Sequence, residues 1–348
     1  MSGPTVLVAG ADGVLGSTVA SVFAEAGWRV LRGTRRKRDL PGSVPFDLAR
    51  PETLGPAIQV ADLTVNTVPD DDLAAEHWAM ANGGRVLTLA SVPVSAARAL
   101  RIRAARQRNR GAVVLNAGLA PGVSNLVLAD LLARHPESDT IEFVMCLPAS
   151  GMSGRAGVGC VHENLTTIGR HGVYTKRSPR HHAIRLNLPD PVGATTCFGF
   201  AERERAWLLD TVGGRNVHSF AYFDQKLLHD LVVALNPLGL LSEVPRAPFL
   251  FGRRSAPAQP SSEPIMHWAA VSARGNRLAE RTIECAGGYL HAARAAHVFG
   301  SALLDSPLAA RLTGCVNPEE IFSLSALDRK FKDVGIDIVD RAEIESLT

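Results

Sequence analysis

The stretch TVLVAGADGVLG, Thr5 to Gly16, decides the fold. Thr5 to Ala9 is a short apolar run suited to a strand covered on both faces. Gly10 to Gly16 then punctuates the chain, and Ser17 to Ala26 places Val19, Val22, Phe23 and Ala26 at helical spacing before Gly27 ends the pattern. A GxxGxxG set directly between a strand and a helix has a mechanical reading. Gly10 permits the tight turn, Gly13 lets a pyrophosphate approach the backbone, and Gly16 allows helix and strand to pack closely. The free N–H groups of the helix N-terminus then receive the phosphate, with Asp12, Val14 and Leu15 completing the expected dinucleotide loop.

Outward from this loop the apolar runs recur with helical patterns between them. Arg29–Leu31, Val44–Phe46, Leu63–Val68, Arg85–Leu89 and Ala112–Leu115 read as five further strands. Six strands in βαβ rhythm predict α/β architecture, a Rossmann-type doubly wound parallel sheet over residues 1–122. After Pro121 the texture changes. A helix is expected over Asn125–Arg134, strands over Thr140–Leu147, Ala183–Leu188 and Thr195–Phe200, and a hairpin of Ile265–Ala273 and Leu278–Cys285 about Gly275 and Asn276. Residues 123–313 therefore read as an α+β substrate and dimerisation domain with a mostly antiparallel sheet, including an alanine-rich helix over Gly287–Leu304. Residues 314–348 read as a segment returning to the Rossmann domain, and the proline-rich 237–264 as an irregular excursion.

The end of the second strand bears on cofactor choice. An NAD-preferring site places an acid about 20 residues beyond the loop to bind the ribose hydroxyls. Here stand Gly33, Thr34, Arg35 and Arg36, and guanidinium groups match a 2′-phosphate in charge and hydrogen-bonding geometry, so NADP(H) is expected. Asp47 is placed to reach the adenine edge, and Asn66, Thr67 and Val68 to lie beside the ribose or pyrophosphate.

Composition removes other classes. With 348 residues, 46% of them hydrophobic, the chain can bury a large core, which argues against disorder or a disulfide-stapled miniature fold. Five scattered cysteines without CxxC spacing point to reduced thiols and to no metal centre. No signal-peptide pattern or membrane-spanning run is read, so a cytoplasmic protein without a membrane partner is expected. The net charge of +3 hides two acid-free basic stretches, residues 29–38 and 98–110, each with six basic side chains, on a remainder of −9. Little aromatic interleaving accompanies them, which argues against nucleic acid as the partner.

A second landmark is NAGLAPGVSN, Asn116 to Asn125, before the helical LVLADLL. With the GxxGxxG variant, VNTVP at 65–69, the late strand pair about Gly275 and GCVNPEE at 314–320, the chain resembles the saccharopine dehydrogenase-like family over nearly its whole length. The resemblance implies an NADP(H)-binding Rossmann domain, with Ala117 and Gly118 near the cofactor. It also implies an α/β substrate domain, often a homodimer, and oxidation or reduction of carbon–nitrogen bonds in amino-acid adducts. The 151–182 segment matches no family active site residue by residue.

Hydride transfer also needs a proton donor. His162 beside Glu163, after the flexible SGMSGRAG, is the expected donor pair, with Ser150, Ser153 and Arg155 suited to a carboxylate and His181 and His182 as lesser candidates. Tyr222 and Lys226 make a YxxxK, the spacing of short-chain dehydrogenases, although it falls far too late in the chain for that family's arrangement. An atypical short-chain reductase and a catalytically silent NADPH-binding sensor are the rival readings.

Overall fold

The computed structural model describes residues 3–35, 41–90, 92–147, 183–190, 192–199, 208, 211–235, 265–285, 288–307 and 311–341. The first elements are β1 (Thr5–Ala9), α1 (Val14–Glu25), β2 (Arg29–Thr34), β3 (Ser43–Pro45), α2 (Pro51–Gln59), β4 (Leu63–Asn66) and α3 (Ala74–Asn82). Then come β5 (Arg85–Thr88), α4 (Val94–Arg106), β6 (Ala112–Val114), α5 (Val123–Arg134), β7 (Thr140–Leu147), β8 (Ala183–Asn187), β9 (Ala194–Gly199) and β10 (Asn216–Phe223). The described chain closes with α6 (Lys226–Leu235), β11 (Ile265–Ala273), β12 (Asn276–Cys285), α7 (Gly288–Asp305), β13 (Gly314–Val316), α8 (Pro318–Ile321), α9 (Leu324–Asp333) and β14 (Asp337–Arg341).

Residues 1–126 and 289–334 form one unit, and 127–288 with 335–348 the other. In the first, seven strands lie in the order β13-β6-β5-β4-β1-β2-β3, every pairing parallel. Val6 to Ala9 of β1 are fully buried, as a central strand of a doubly covered sheet requires. The expected doubly wound sheet is present with one strand more than the six read from the sequence, because GCV at 314–316 pairs with β6. Strand order reverses between β1 and β4, which makes their C-terminal ends the switch point where such sheets hold ligands.

The helix α7 belongs to this unit and not to the 123–313 domain expected. Gly300 is the physical reason: a Cβ there would stand 2.7 Å from Leu63 Cδ2 and 3.4 Å from Leu87 Cδ1, so the missing side chain lets α7 lie against β4 and β5. The terminal segment also divides, since β14 leaves the Rossmann unit and pairs with β12.

In the second unit the order is β14-β12-β11-β7-β10-β9-β8, with five of six pairings antiparallel and β7–β10 parallel. The β11–β12 turn is Arg274 and Gly275, with φ of +52° and +84°, one residue earlier than expected and in the left-handed backbone a two-residue hairpin demands. Arg281 of β12 is buried and ion-pairs with Asp130 of α5 at 2.6 Å and with Asp340 of β14, which ties helix and edge strand to the sheet.

Candidate dinucleotide site

At the end of β1 the chain turns through Gly10 with φ of +78°. The Gly10 N–H donates to the Gly33 carbonyl at 3.0 Å, and the Gly13 N–H to the Gly10 carbonyl at 2.8 Å. A Cβ on Gly10 would lie 2.5 Å from Val68 Cγ2, and one on Gly16 only 2.1 Å from the Gly10 oxygen. The fold itself thus demands those two glycines. Gly13 differs: a Cβ there would meet only the Gly10 oxygen, at 3.3 Å. Gly13 is the N-cap of α1, with extended φ of −79° and ψ of 164°, so Val14 to Gly16 already form the first helical turn and the helix starts three residues before the sequence pattern suggested. As N-cap, Gly13 has no side chain to cap that turn and no acid lies in it, while Asp12, Gly13 and Val14 are exposed and Leu15 half-buried. Uncapped helix N–H groups behind an open glycine fit a phosphate in charge and in space.

The neighbouring strand ends frame this loop. Thr67 Oγ1 donates to the Ala9 carbonyl at 2.7 Å, tying β4 to β1 at the switch point, and Thr67 and Val68 are half-buried. At the end of β2, Thr34 is buried and Arg35 exposed; Arg36 lies outside the described residues. A side chain at 33 would crowd Phe46 Cβ at 3.0 Å and the Val8 oxygen at 3.2 Å, so packing disfavours an acid at that position.

Several expected contacts have other work. Asp47 Oδ1 accepts from the Ala49 N–H at 3.2 Å and Oδ2 faces Arg50 at 3.8 Å, so its carboxylate shapes the turn into α2. Asn66 is buried and directed inward: Nδ2 donates to Glu76 Oε1 at 2.9 Å and Oδ1 accepts from the Val68 N–H at 3.0 Å. Ala117 and Gly118 are buried as well, with the Ala117 N–H donating to the Thr88 carbonyl at 3.1 Å and the Val123 N–H to the Gly118 carbonyl at 3.0 Å. Backbone hydrogen bonds within the 116–123 segment and to β5 therefore hold this turn.

Tyr222 and Lys226 do not form a short-chain dehydrogenase dyad. Tyr222 lies in β10, buried, and burial followed by its contact with Cys146 drives the phenol far above its ordinary range. Lys226 starts α6 with its side chain 86% exposed and pairs with Asp230 at 2.7 Å. A lysine that activates a tyrosine has to stand close enough to favour the phenolate, and this one faces solvent. His162 and Glu163 lie outside the described residues, as do Ser150, Ser153, Arg155, His181 and His182.

The sequence reading missed Glu76 of α3, which is fully buried and receives Thr88 Oγ1 at 2.6 Å besides Asn66. Burial raises its pKa against the pull of those bonds. Its signal was a lone acid among Ala75, Ala79 and Met80 on the apolar face of a helix. Also missed was Asn317, buried at the end of β13 and bonded to Asn116 at 3.1 Å. Among the described residues no group of three or more His, Cys, Asp or Glu is placed to hold a metal, and no helix is long and apolar enough to cross a membrane.

No family model matches this sequence. No curated protein matches it. Solved structures with partial likeness include an oxidoreductase from Sinorhizobium meliloti, 10% identical, covering 96% of each chain with a TM-score of 0.38. Another is the WlbA dehydrogenase from Thermus thermophilus in complex with NAD and UDP-GlcNAcA, 13% identical over 86% of this chain and 88% of that one, TM-score 0.37. A third is a point mutant of KijD10, a 3-ketoreductase from Actinomadura kijaniata in complex with TDP-benzene and NADP, 12% identical over 91% of this chain and 99% of that one, TM-score 0.35. Likenesses this remote decide nothing about chemistry.

Proposed function

We propose that this chain is an NADP(H)-dependent oxidoreductase acting on a carbon–nitrogen or carbonyl centre of a small, amino-acid-like metabolite, in the manner of saccharopine dehydrogenase-like enzymes. The observation that carries the cofactor half is Gly13, an open glycine at the uncapped N-terminus of α1 beside the switch point. The backbone of Gly10 to Gly16 would hold the pyrophosphate, and Thr34 and Arg35, with Arg36 next in sequence, the 2′-phosphate. Thr67 and Val68 would border the ribose on the other side of the switch point. When bound, the nicotinamide supplies or accepts the hydride.

The amino-acid character of the substrate and a homodimer rest on the sequence resemblance, and a cytoplasmic setting on the five scattered cysteines read as reduced thiols. The assignment of the proton to His162 with Glu163 rests on the local sequence alone, a histidine beside an acid after SGMSGRAG. The test is NADPH oxidation by the purified protein against a panel of amino acids paired with aldehydes or keto acids. Turnover with an imine-forming pair is expected. Tight NADPH binding with no turnover across the panel would contradict the enzymatic reading and favour a sensor.

A further inference from the structure

One carboxyl oxygen lies at the hub of the strand ends just described. Glu76 Oε1 accepts from Asn66, the last residue of β4, and from Thr88, the last residue of β5. Each donor governs the segment beyond its strand. Asn66 Oδ1 holds the Val68 N–H, and its backbone carbonyl holds the N–H groups of Leu89 at 2.9 Å and Ala90 at 3.3 Å. The Thr88 carbonyl holds Ala117. Val68 in turn stands against Gly10, close enough that no side chain fits between them. In a doubly wound sheet β1 to β3 form one mononucleotide half and β4 to β6 the other, so these segments border the nicotinamide end.

We propose that Glu76 is a positioning residue for the nicotinamide half of the cofactor, its carboxyl clamping Asn66 to Thr88 and thereby setting the spacing of the segments that follow β4 and β5. The inference rests on the cofactor reading above. The surroundings of Glu76 favour the neutral acid over the carboxylate. Both donors converge on Oε1, while Oε2 is buried with no hydrogen-bond partner among the described residues, and two neutral donors do not repay the lost hydration of an enclosed anion. Burial raises the carboxyl pKa accordingly.

The experiment titrates wild type, Glu76→Gln and Glu76→Leu with NADPH and with adenosine 2′,5′-bisphosphate, which has the adenosine end and no nicotinamide. Glutamine keeps the accepting oxygen without an acid, so it should match wild type for both ligands. Leucine removes the acceptor and strands two buried donors, so it should weaken NADPH by about tenfold or more while leaving the bisphosphate unchanged. Thr88→Val, which deletes one donor at constant shape, should show the same split in smaller degree and serves if Glu76→Leu does not fold. Equal loss for both ligands, no loss for either, or a glutamine variant as weak as leucine would overturn the inference alone. A wild type that binds neither ligand would overturn the cofactor reading and the inference with it.

Discussion

Asn116 Nδ2 donates to Asn317 Oδ1 at 3.1 Å, across 201 residues of chain, and both side chains are buried. This bond closes the outer edge of the parallel sheet, where the Leu115 N–H also donates to the Val316 carbonyl at 2.9 Å. Asn116 has φ of +57°, a backbone that asparagine tolerates better than most residues. Asn317→Ala should cost about 1–3 kcal/mol by stranding a buried amide. Asn116→Gly keeps the backbone, and combined with Asn317→Ala it should cost less than the two single losses added, as read by urea denaturation. Strict additivity would mean that the bond contributes nothing.

Arg35 is exposed at the end of β2, where the 2′-phosphate is expected. Arg35→Ala with Arg36→Ala should weaken NADPH about tenfold to a hundredfold, the range for lost charge-assisted hydrogen bonds, and leave NADH nearly unchanged. Parallel titrations with the two nucleotides read the difference, and equal losses would sink the NADP(H) preference.

His297 of α7 packs edge-on against Phe23 at 5.2 Å and Trp28 at 6.1 Å, and burial, then the nearby Lys330 charge, lowers its pKa. His77 and His229 are lowered too, chiefly by burial. A base whose folded pKa is depressed binds fewer protons folded than unfolded. Its contribution to stability is full above the unfolded value of about 6.5 and is lost as pH falls from there through the folded value. The melting temperature should fall between pH 7 and pH 5, and His297→Phe should flatten that fall. An unchanged slope would contradict the assignment.

Glu76 has the opposite sign. Its folded pKa is raised, so its contribution to stability is full below about 4.5 and is lost as pH rises through the folded value. Glu76→Gln cannot ionise, and its stability relative to wild type should therefore grow with increasing pH above that point. A difference independent of pH, in denaturation at several pH values, would show that the carboxyl is not the buried acid described.

How much of this was legible in the sequence follows from how local each cause is. The strands Thr5–Ala9, Thr140–Leu147 and Ile265–Ala273 fall at the bounds expected, because each is an apolar run closed by turn residues. The start of α1 was misplaced because glycine carries no cap signal of its own, and only the observed backbone makes Gly13 the N-cap. The three-residue β13 owes its place to pairing with β6, a partner two hundred residues away. YxxxK spacing presumes one continuous helix, whereas here Tyr222 is in a strand and Lys226 opens a helix. Asn66 and Asp47 stand at the strand ends where ligands collect, yet both side chains are engaged by residues that only the fold brings to them.

Calorimetric titration of wild type and Gly13→Val with NADPH shows whether the exposed face at Gly13 receives a dinucleotide phosphate. A Cβ there would meet only the Gly10 oxygen, at a close 3.3 Å, so the variant should fold, with a melting temperature lower by a few degrees at about 2–4 °C per kcal/mol of capping loss. NADPH affinity should fall by about tenfold or more, because the valine occupies the space the pyrophosphate needs. A folded Gly13→Val that binds NADPH as tightly as wild type would contradict the account.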